Sequence, residues 1–179
     1  MKPINVGLLG IGTVGSGVWD VLGRNADEIQ RRAGRAIRIS AVADKDLARA
    51  RKIVGNKARV TADAFGLLND KSIDIVIELI GGYTVARELQ LEAVRRGKHV
   101  VTANKALLAT HGNEIFAAAQ KRGVMVAFEA SVAGGIPIIK ALREGLAANR
   151  IEWIAGIING TSNFILSEMR DKGLALARC

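Results

Sequence analysis

The amino-acid sequence predicts an α/β protein with a doubly wound parallel sheet, followed by the truncated start of a second, α+β domain. Six short apolar segments alternate with segments of helical periodicity between residues 4 and 128, which is typical of a parallel sheet covered by helices. Hydrophobic residues make up 49% of the chain but aromatic residues only 4%, so Ile, Val, Leu and Ala must fill the core. Right-handed crossovers then favour helices on both faces of the sheet.

Each predicted element ends at a residue that stops it. The predicted helices end before Gly34, Gly55, Gly97 and Gly123, because glycine adopts the left-handed conformation that terminates a helix. The predicted strands are residues 4–9, 37–43, 58–61, 72–80, 98–102 and 124–128. The predicted helices are residues 13–33, 46–54, 84–96 and 113–122.

The pattern changes after residue 128. Pro137 opens another helix, residues 150–158 predict one more strand, and Thr161 or Ser162 caps a short final helix. No further element follows to complete this arrangement. The predicted domains are residues 1–149 and the incomplete beginning of a second domain at residues 150–179.

A glycine motif joins the first strand to the first helix. Its G-x-G-x-x-G pattern comprises Gly10, Ile11, Gly12, Thr13, Val14 and Gly15. Gly10 permits a tight turn, Gly12 lets the backbone approach a pyrophosphate, and Gly15 lets the helix pack closely on the strand. The alternative is a turn that binds nothing, but the strand–motif–helix context favours a Rossmann-type dinucleotide site.

The second strand ends at Asp44 and Lys45, where the residue that recognises the adenosine ribose is expected. A carboxylate at Asp44 accepts hydrogen bonds from the ribose hydroxyls and repels a 2′-phosphate, which favours NAD. Lys45 beside it attracts that phosphate, so NADP stays open. The alternative for both residues is an exposed turn.

Three loops follow strands four to six, at the edge where open α/β sheets bind ligands. Gly81 lies in the first loop, and Thr102 and Lys105 lie in the second. Lys105 is placed to contact the cofactor or polarise a carbonyl group, or it is an ordinary surface lysine. The third loop, residues 129–137, is rich in small residues, whose carbonyl groups are suited either to a hard cation or to a flexible connection.

Composition excludes several other classes of protein. The net charge is +9, but the basic residues are scattered without interleaved aromatic residues, so we expect no nucleic-acid partner. The one cysteine, Cys179, excludes an internal disulfide and indicates a reducing compartment. The sequence shows neither a signal peptide nor an apolar run long enough to span a membrane, so we expect a cytoplasmic protein without a membrane partner.

Five segments together resemble the homoserine dehydrogenase family, in order along the chain as far as Gly173. The segments around Thr102 and Asn159 are far more specific than the glycine motif. The segments are residues 10–15 (GIGTVG), 78–82 (ELIGG), 101–105 (VTANK), 128–137 (FEASVAGGIP) and 156–166 (GIINGTSNFIL).

The resemblance implies reversible, NAD(P)-dependent interconversion of L-homoserine and L-aspartate 4-semialdehyde, a step towards threonine and methionine. It implies that Lys105 contacts the cofactor near the nicotinamide. It also implies a bound sodium ion, held mainly by backbone carbonyl groups. The implied cation ligands are Glu129, Val132, Gly134 and Ile136.

The same resemblance implies that residues 1–179 lack most of the family's substrate domain. Members of the family carry a catalytic Asp and Lys in a longer substrate domain, through which they form homodimers, and residues 174–179 depart from the family pattern. We therefore expect an inactive fragment. The alternatives are a stand-alone dinucleotide-binding module and a different Rossmann-type dehydrogenase, and the Asn159-Gly160-Thr161 segment argues against the latter.

Overall fold

The computed structural model describes residues 2–178 of the chain. It separates into two compact units, Met1–Ile139 and Lys140–Cys179, which we call the sheet unit and the tail unit. The predicted domain boundary after residue 149 lies within the tail unit and stays a prediction. Within residues 2–178, no helix is both long and apolar enough to cross a lipid bilayer.

The sheet unit is built on six parallel strands in the order β3-β2-β1-β4-β5-β6. Successive connections run outward from β1 in one direction and then return to the other side of it, which confirms the predicted doubly wound parallel sheet. The strands are β1 (Ile4–Leu9), β2 (Ile37–Ala43), β3 (Arg59–Thr61), β4 (Ile75–Glu78), β5 (His99–Thr102) and β6 (Val126–Ala127).

The helices differ from the prediction in three places. The single helix predicted over residues 13–33 is two helices, because Asn25 leaves the helical conformation. A short helix that was not predicted follows Asp63, and the helix predicted from residue 113 already begins at Lys105. The helices of the sheet unit are α1 (Thr13–Arg24), α2 (Ala26–Ala33), α3 (Leu47–Val54), α4 (Ala64–Leu68), α5 (Val85–Arg95) and α6 (Lys105–Arg122).

The core lies on both faces of the sheet. Side chains alternate along each strand, so Leu8 and Val42 face one side while Leu9 and Ala43 face the other. Helices α1 and α3 cover the first side, and α4, α5 and α6 cover the second. Because both faces are covered, the strands are almost continuously apolar, as expected of a buried parallel sheet.

The tail unit has only local structure. A helical segment passes from α7 (Ile138–Lys140), at the junction of the units, into a π-helical turn (Ala141–Gly145), and α8 (Gly160–Lys172) follows later. The strand predicted over residues 150–158 was wrong, because a strand needs a neighbour to pair with and the described part of the tail unit has none. The predicted caps of α8 were also wrong, since Asn159 accepts the capping hydrogen bond from the Ser162 backbone N–H at 2.9 Å.

Candidate functional site: a glycine-lined cleft

A cleft of about 710 Å³ opens at the carboxyl edge of the sheet, a volume that suits a small-molecule site. It lies where β1 separates β2 from β4, the point at which open α/β sheets bind ligands. The cleft is lined by the glycine loop, the end of β2, the start of α4 and the loop after β4. Its lining residues include Gly10, Gly12, Asp44, Lys45, Arg49, Asp63, Phe65, Leu79, Ile80, Gly81, Gly82 and Tyr83.

The glycine loop has the geometry that the motif predicts. Gly10 has a φ of 91°, a conformation that other residues rarely adopt. A Cβ atom at Gly15 would lie 2.1 Å from the Gly10 carbonyl oxygen, so only glycine lets α1 approach β1 this closely. A Cβ atom at Gly12 would meet only the Arg49 Nη2 atom, at 3.9 Å, and would otherwise project into open space. The backbone at Gly12 is therefore open to the cleft, as the motif predicts.

Helix α1 presents its amino end beside this loop. Gly12 is its N-cap residue, no side chain caps the helix, and its first turn holds no acidic residue. Thr13 and Val14 are both exposed there. Because backbone N–H groups and the positive end of the helix dipole converge at such an end, it attracts an anion such as a pyrophosphate.

Asp44 lines the cleft at the end of β2, and backbone groups hold its carboxylate. One oxygen accepts a hydrogen bond from the Ile11 N–H at 2.7 Å, and the other accepts one from the Asp46 N–H at 2.9 Å. The Arg49 guanidinium lies 3.7 Å from the same carboxylate. These contacts tie the end of β2 to the glycine loop and place two cations, Lys45 and Arg49, at the rim.

The residues predicted after β4 and β5 are only partly brought together. Gly81 lines the cleft, with a φ of 81°. Thr102 is fully buried and its hydroxyl donates to Glu78, so its side chain does not line the cleft. Lys105 is exposed at the first position of α6. The Asn104 side chain, which caps α6, donates to the Gly82 carbonyl at 2.5 Å, so the start of α6 is held against the cleft wall.

None of residues 129–137, the predicted cation loop, lines this cleft. Its backbone turns sharply at Ala133, with a φ of 47°, and at Gly135, with a φ of 87°. The Glu129 carboxylate accepts a hydrogen bond from the Ile139 N–H at 2.9 Å, which closes the loop. Within residues 2–178, no group of three or more His, Cys, Asp or Glu side chains is arranged to hold a metal ion. Backbone oxygens are therefore the ligands that this loop offers.

Sequence reasoning missed two side chains of the cleft. Arg49 is on α3, five residues after Asp44, and Phe65 is on α4 with 43% of its surface exposed. Asp63 gave a usable signal for α4, because its carboxylate caps the helix by accepting from the Gly66 N–H at 2.8 Å. Arg49 gave no signal, since an arginine on a surface helix is ordinary.

Residues 10–129 match the family model described as the NAD-binding domain of homoserine dehydrogenase, and residues 137–179 match the model of homoserine dehydrogenase itself. The chain belongs to the homoserine dehydrogenase family. The glycine-lined cleft thus lies within the NAD-binding domain of a family of NAD(P)-dependent oxidoreductases.

Individual relatives agree with this assignment. Homoserine dehydrogenases from Neisseria gonorrhoeae and Pseudomonas aeruginosa are 63% and 62% identical, over 99% and 97% of this chain. A crystal structure of a homoserine dehydrogenase from Thiobacillus denitrificans is 66% identical over 99% of this chain, with a TM-score of 0.91. The chain spans 40% and 39% of the lengths of the two relatives and 41% of the solved chain.

Proposed function

We propose that residues 1–179 form the cofactor-binding part of an enzyme that interconverts L-homoserine and L-aspartate 4-semialdehyde with a nicotinamide dinucleotide. The observation that carries the proposal is the glycine loop, where Gly12 opens the backbone to a pyrophosphate beside the uncapped end of α1. Membership of the homoserine dehydrogenase family supports the substrate. The pathway that follows is the biosynthesis of threonine and methionine.

We propose NAD as the preferred dinucleotide. The Asp44 carboxylate is held at the adenosine side of the cleft, where it repels a 2′-phosphate. Lys45 and Arg49 oppose that preference, because both cations stand at the same rim. Arg49 is partly neutralised by Asp44, which leaves Lys45 as the main attraction for NADP. A Lys45→Gln variant should therefore weaken NADPH binding more than NADH binding.

We propose that Lys105 contacts the cofactor near the nicotinamide. The Asn104 contact to Gly82 holds the first turn of α6 beside the cleft, which supports this placement. The buried Thr102 hydroxyl supports the same region by donating a hydrogen bond to Glu78. The exposed ammonium of Lys105 then supplies a positive charge for a cofactor amide or a substrate carbonyl.

We propose a sodium ion at the loop of Glu129, Val132, Gly134 and Ile136. The two left-handed residues in this loop curl its backbone, and a carbonyl that already accepts one hydrogen bond keeps a second lone pair. Hard cations prefer such oxygen ligands. Sodium in place of a large organic cation of equal ionic strength should protect the amide hydrogens of residues 129–136 from exchange, and equal protection would contradict the site.

The test is a fluorescence titration of the purified chain with NADH and NADPH, with homoserine oxidation assayed in the same cuvette. We expect binding without turnover, because hydride transfer needs a substrate held about 3–3.5 Å from the nicotinamide by groups that this part of the enzyme does not assemble. Gly12→Ala should weaken binding at least about tenfold by occupying the approach to the pyrophosphate. Gly17→Ala, on the same helix with nothing near its added Cβ, is the matched control.

A stand-alone dinucleotide-binding module is the second candidate function. The tail unit favours it, because no residue described in that unit is buried, as a substrate pocket would require. Binding of NADH with turnover would contradict this candidate, and absence of binding would contradict both. A cytoplasmic location and a homodimeric full-length enzyme stay predictions alongside these proposals.

A further inference from the structure

Glu78, the last residue of β4, has a fully buried carboxylate that the glycine motif does not explain. One oxygen accepts hydrogen bonds from the Ile80 N–H at 2.8 Å and the Gly81 N–H at 3.3 Å. The other accepts from the Gln90 side-chain amide at 2.8 Å and the Thr102 hydroxyl at 3.0 Å. A buried carboxylate is unfavourable unless such donors satisfy it, so this cluster of four donors is a specific arrangement.

The same network continues from β5 into α6. The Thr102 hydroxyl donates to Glu78 and accepts a hydrogen bond from the Asn104 N–H at 3.0 Å. The Asn104 side chain then donates to the Gly82 carbonyl and caps α6 by accepting from the Leu107 N–H at 3.1 Å. Both ends of the turn over residues 80–82 are therefore fixed, one by Glu78 directly and the other through Thr102 and Asn104.

This turn lies on one side of the cleft only. Ile80, Gly81 and Gly82 line the cleft after β4, whereas Asp44 lines it after β2, on the other side of β1. A dinucleotide bound across such a switch point places its adenosine half towards β2 and its pyrophosphate at the glycine loop. The turn after β4 therefore faces the nicotinamide half.

We propose that Glu78 is a positioning residue that holds the turn over residues 80–82 in the shape required by the nicotinamide half of the cofactor. This role rests on the proposed dinucleotide binding. Gln90 supports it, because its side-chain oxygen is buried without a hydrogen-bond partner among the described residues while its amide donates to Glu78. The Gln90 side chain is thus oriented to donate a hydrogen bond to the Glu78 carboxylate, although this orientation leaves its own oxygen without a donor. Groups that contact a ligand keep their geometry only when such a supporting layer is fixed.

The test compares NADH with ADP, which has the adenosine and pyrophosphate groups but no nicotinamide. Glu78→Gln replaces one carboxylate oxygen, which accepts hydrogen bonds, with an NH2 group, which donates them. This NH2 group would face other donors, so the turn must rearrange. By calorimetry we expect the affinity for NADH to fall about tenfold or more while the affinity for ADP stays within about twofold. Glu88→Gln makes the same chemical change on an exposed side chain of α5 and should alter neither affinity.

A second pair of variants keeps the test valid if Glu78→Gln folds poorly. Thr102→Val removes the hydroxyl that joins Glu78 to Asn104, and Thr102→Ser restores it. We expect selective loss of NADH affinity in the valine variant and recovery in the serine variant. Equal losses for NADH and ADP, or no difference between valine and serine, would overturn the positioning role. If the unaltered chain binds neither ligand, the proposed function fails and this role fails with it.

Discussion

The sheet unit and the tail unit contain similarly apolar segments, but the sheet unit buries them and the tail unit leaves them exposed. In the sheet unit, β4 and β5 bury side chains such as Val76 and Val100 to 1% exposure. In the tail unit, the segment over residues 150–158 leaves Ile157 and Ile158 at 80% and 85% exposure. Every buried hydrophobic residue of the described chain lies between Val6 and Val126.

The difference teaches that an apolar segment becomes a strand only when a partner is available. β4 pairs with β1 and β5, and helices on both faces exclude water from it. Residues 150–158 have comparable composition, but no strand within residues 140–178 can pair with them. These residues are all exposed to solvent. A lone strand gains nothing that offsets its loss of conformational entropy.

Replacing one large apolar residue in each unit should give the largest contrast. Leu89 on α5 is fully buried in the core, so Leu89→Ala should lower the free energy of unfolding by about 2–5 kcal/mol through lost burial and a residual cavity. Ile158→Ala should change it by no more than about 0.5 kcal/mol, because that side chain is exposed. Urea unfolding followed by circular dichroism measures both, and a loss above about 2 kcal/mol for Ile158→Ala would break the comparison.

Two glycines of α1 sharpen the comparison within the sheet unit. An added Cβ at Gly15 would clash with the Gly10 carbonyl oxygen, so Gly15→Ala should cost about 3 kcal/mol of stability and abolish NADH binding. Gly17→Ala meets nothing and should instead stabilise the helix by about 0.5–1 kcal/mol. Thermal unfolding and a fluorescence titration distinguish the two variants. A Gly15→Ala protein as stable as Gly17→Ala would show that the close approach of α1 to β1 is not required.

The sheet and its glycine loop could be predicted from the sequence because their signals are local and consistent. The G-x-G-x-x-G motif stood between an apolar strand and a helix, and Asp44 followed the next strand. In the structure, Gly10, Gly12 and Asp44 all line one cleft. Each local preference agreed with the global fold, which is the situation in which sequence reasoning works.

The remaining differences have separate physical causes. The start of α6 at Lys105 depends on the Asn104 cap, a signal present in the sequence, but residues 110–113 (THGN) interrupt the apolar helical pattern between that cap and residue 114. The role of Glu78 could not be predicted, since its four donors come from three separate elements of the fold. Only the assembled sheet brings Gln90 and Thr102 to the end of β4.

The helix caps offer a smaller contrast between the units. Asn104 and Asn159 cap α6 and α8 with the same side-chain hydrogen bond, at 3.1 and 2.9 Å. Asn104→Ala should lower the global free energy of unfolding by about 1–2 kcal/mol, because α6 is part of the cooperative core. Asn159→Ala should lower helicity in α8 without moving the global transition, because no described side chain of the tail unit is buried. Hydrogen exchange of α8 amides separates the two cases, and a shift of the urea midpoint by Asn159→Ala would contradict the prediction.

The two tryptophans give the smallest and most direct measure of the contrast. Trp19 on α1 packs against the core of the sheet unit, whereas Trp153 in the tail unit is 77% exposed. Trp19→Phe leaves only the emission of Trp153, and Trp153→Phe leaves only that of Trp19. Acrylamide, a neutral quencher that the net charge of +9 does not attract, should quench Trp153 more steeply than Trp19 in the native chain. In urea the two slopes should converge, because unfolding exposes both rings. Equal slopes in the native chain would mean that the segment over residues 150–158 is covered in solution, and the apolar side chains around Trp153 would then have a partner after all.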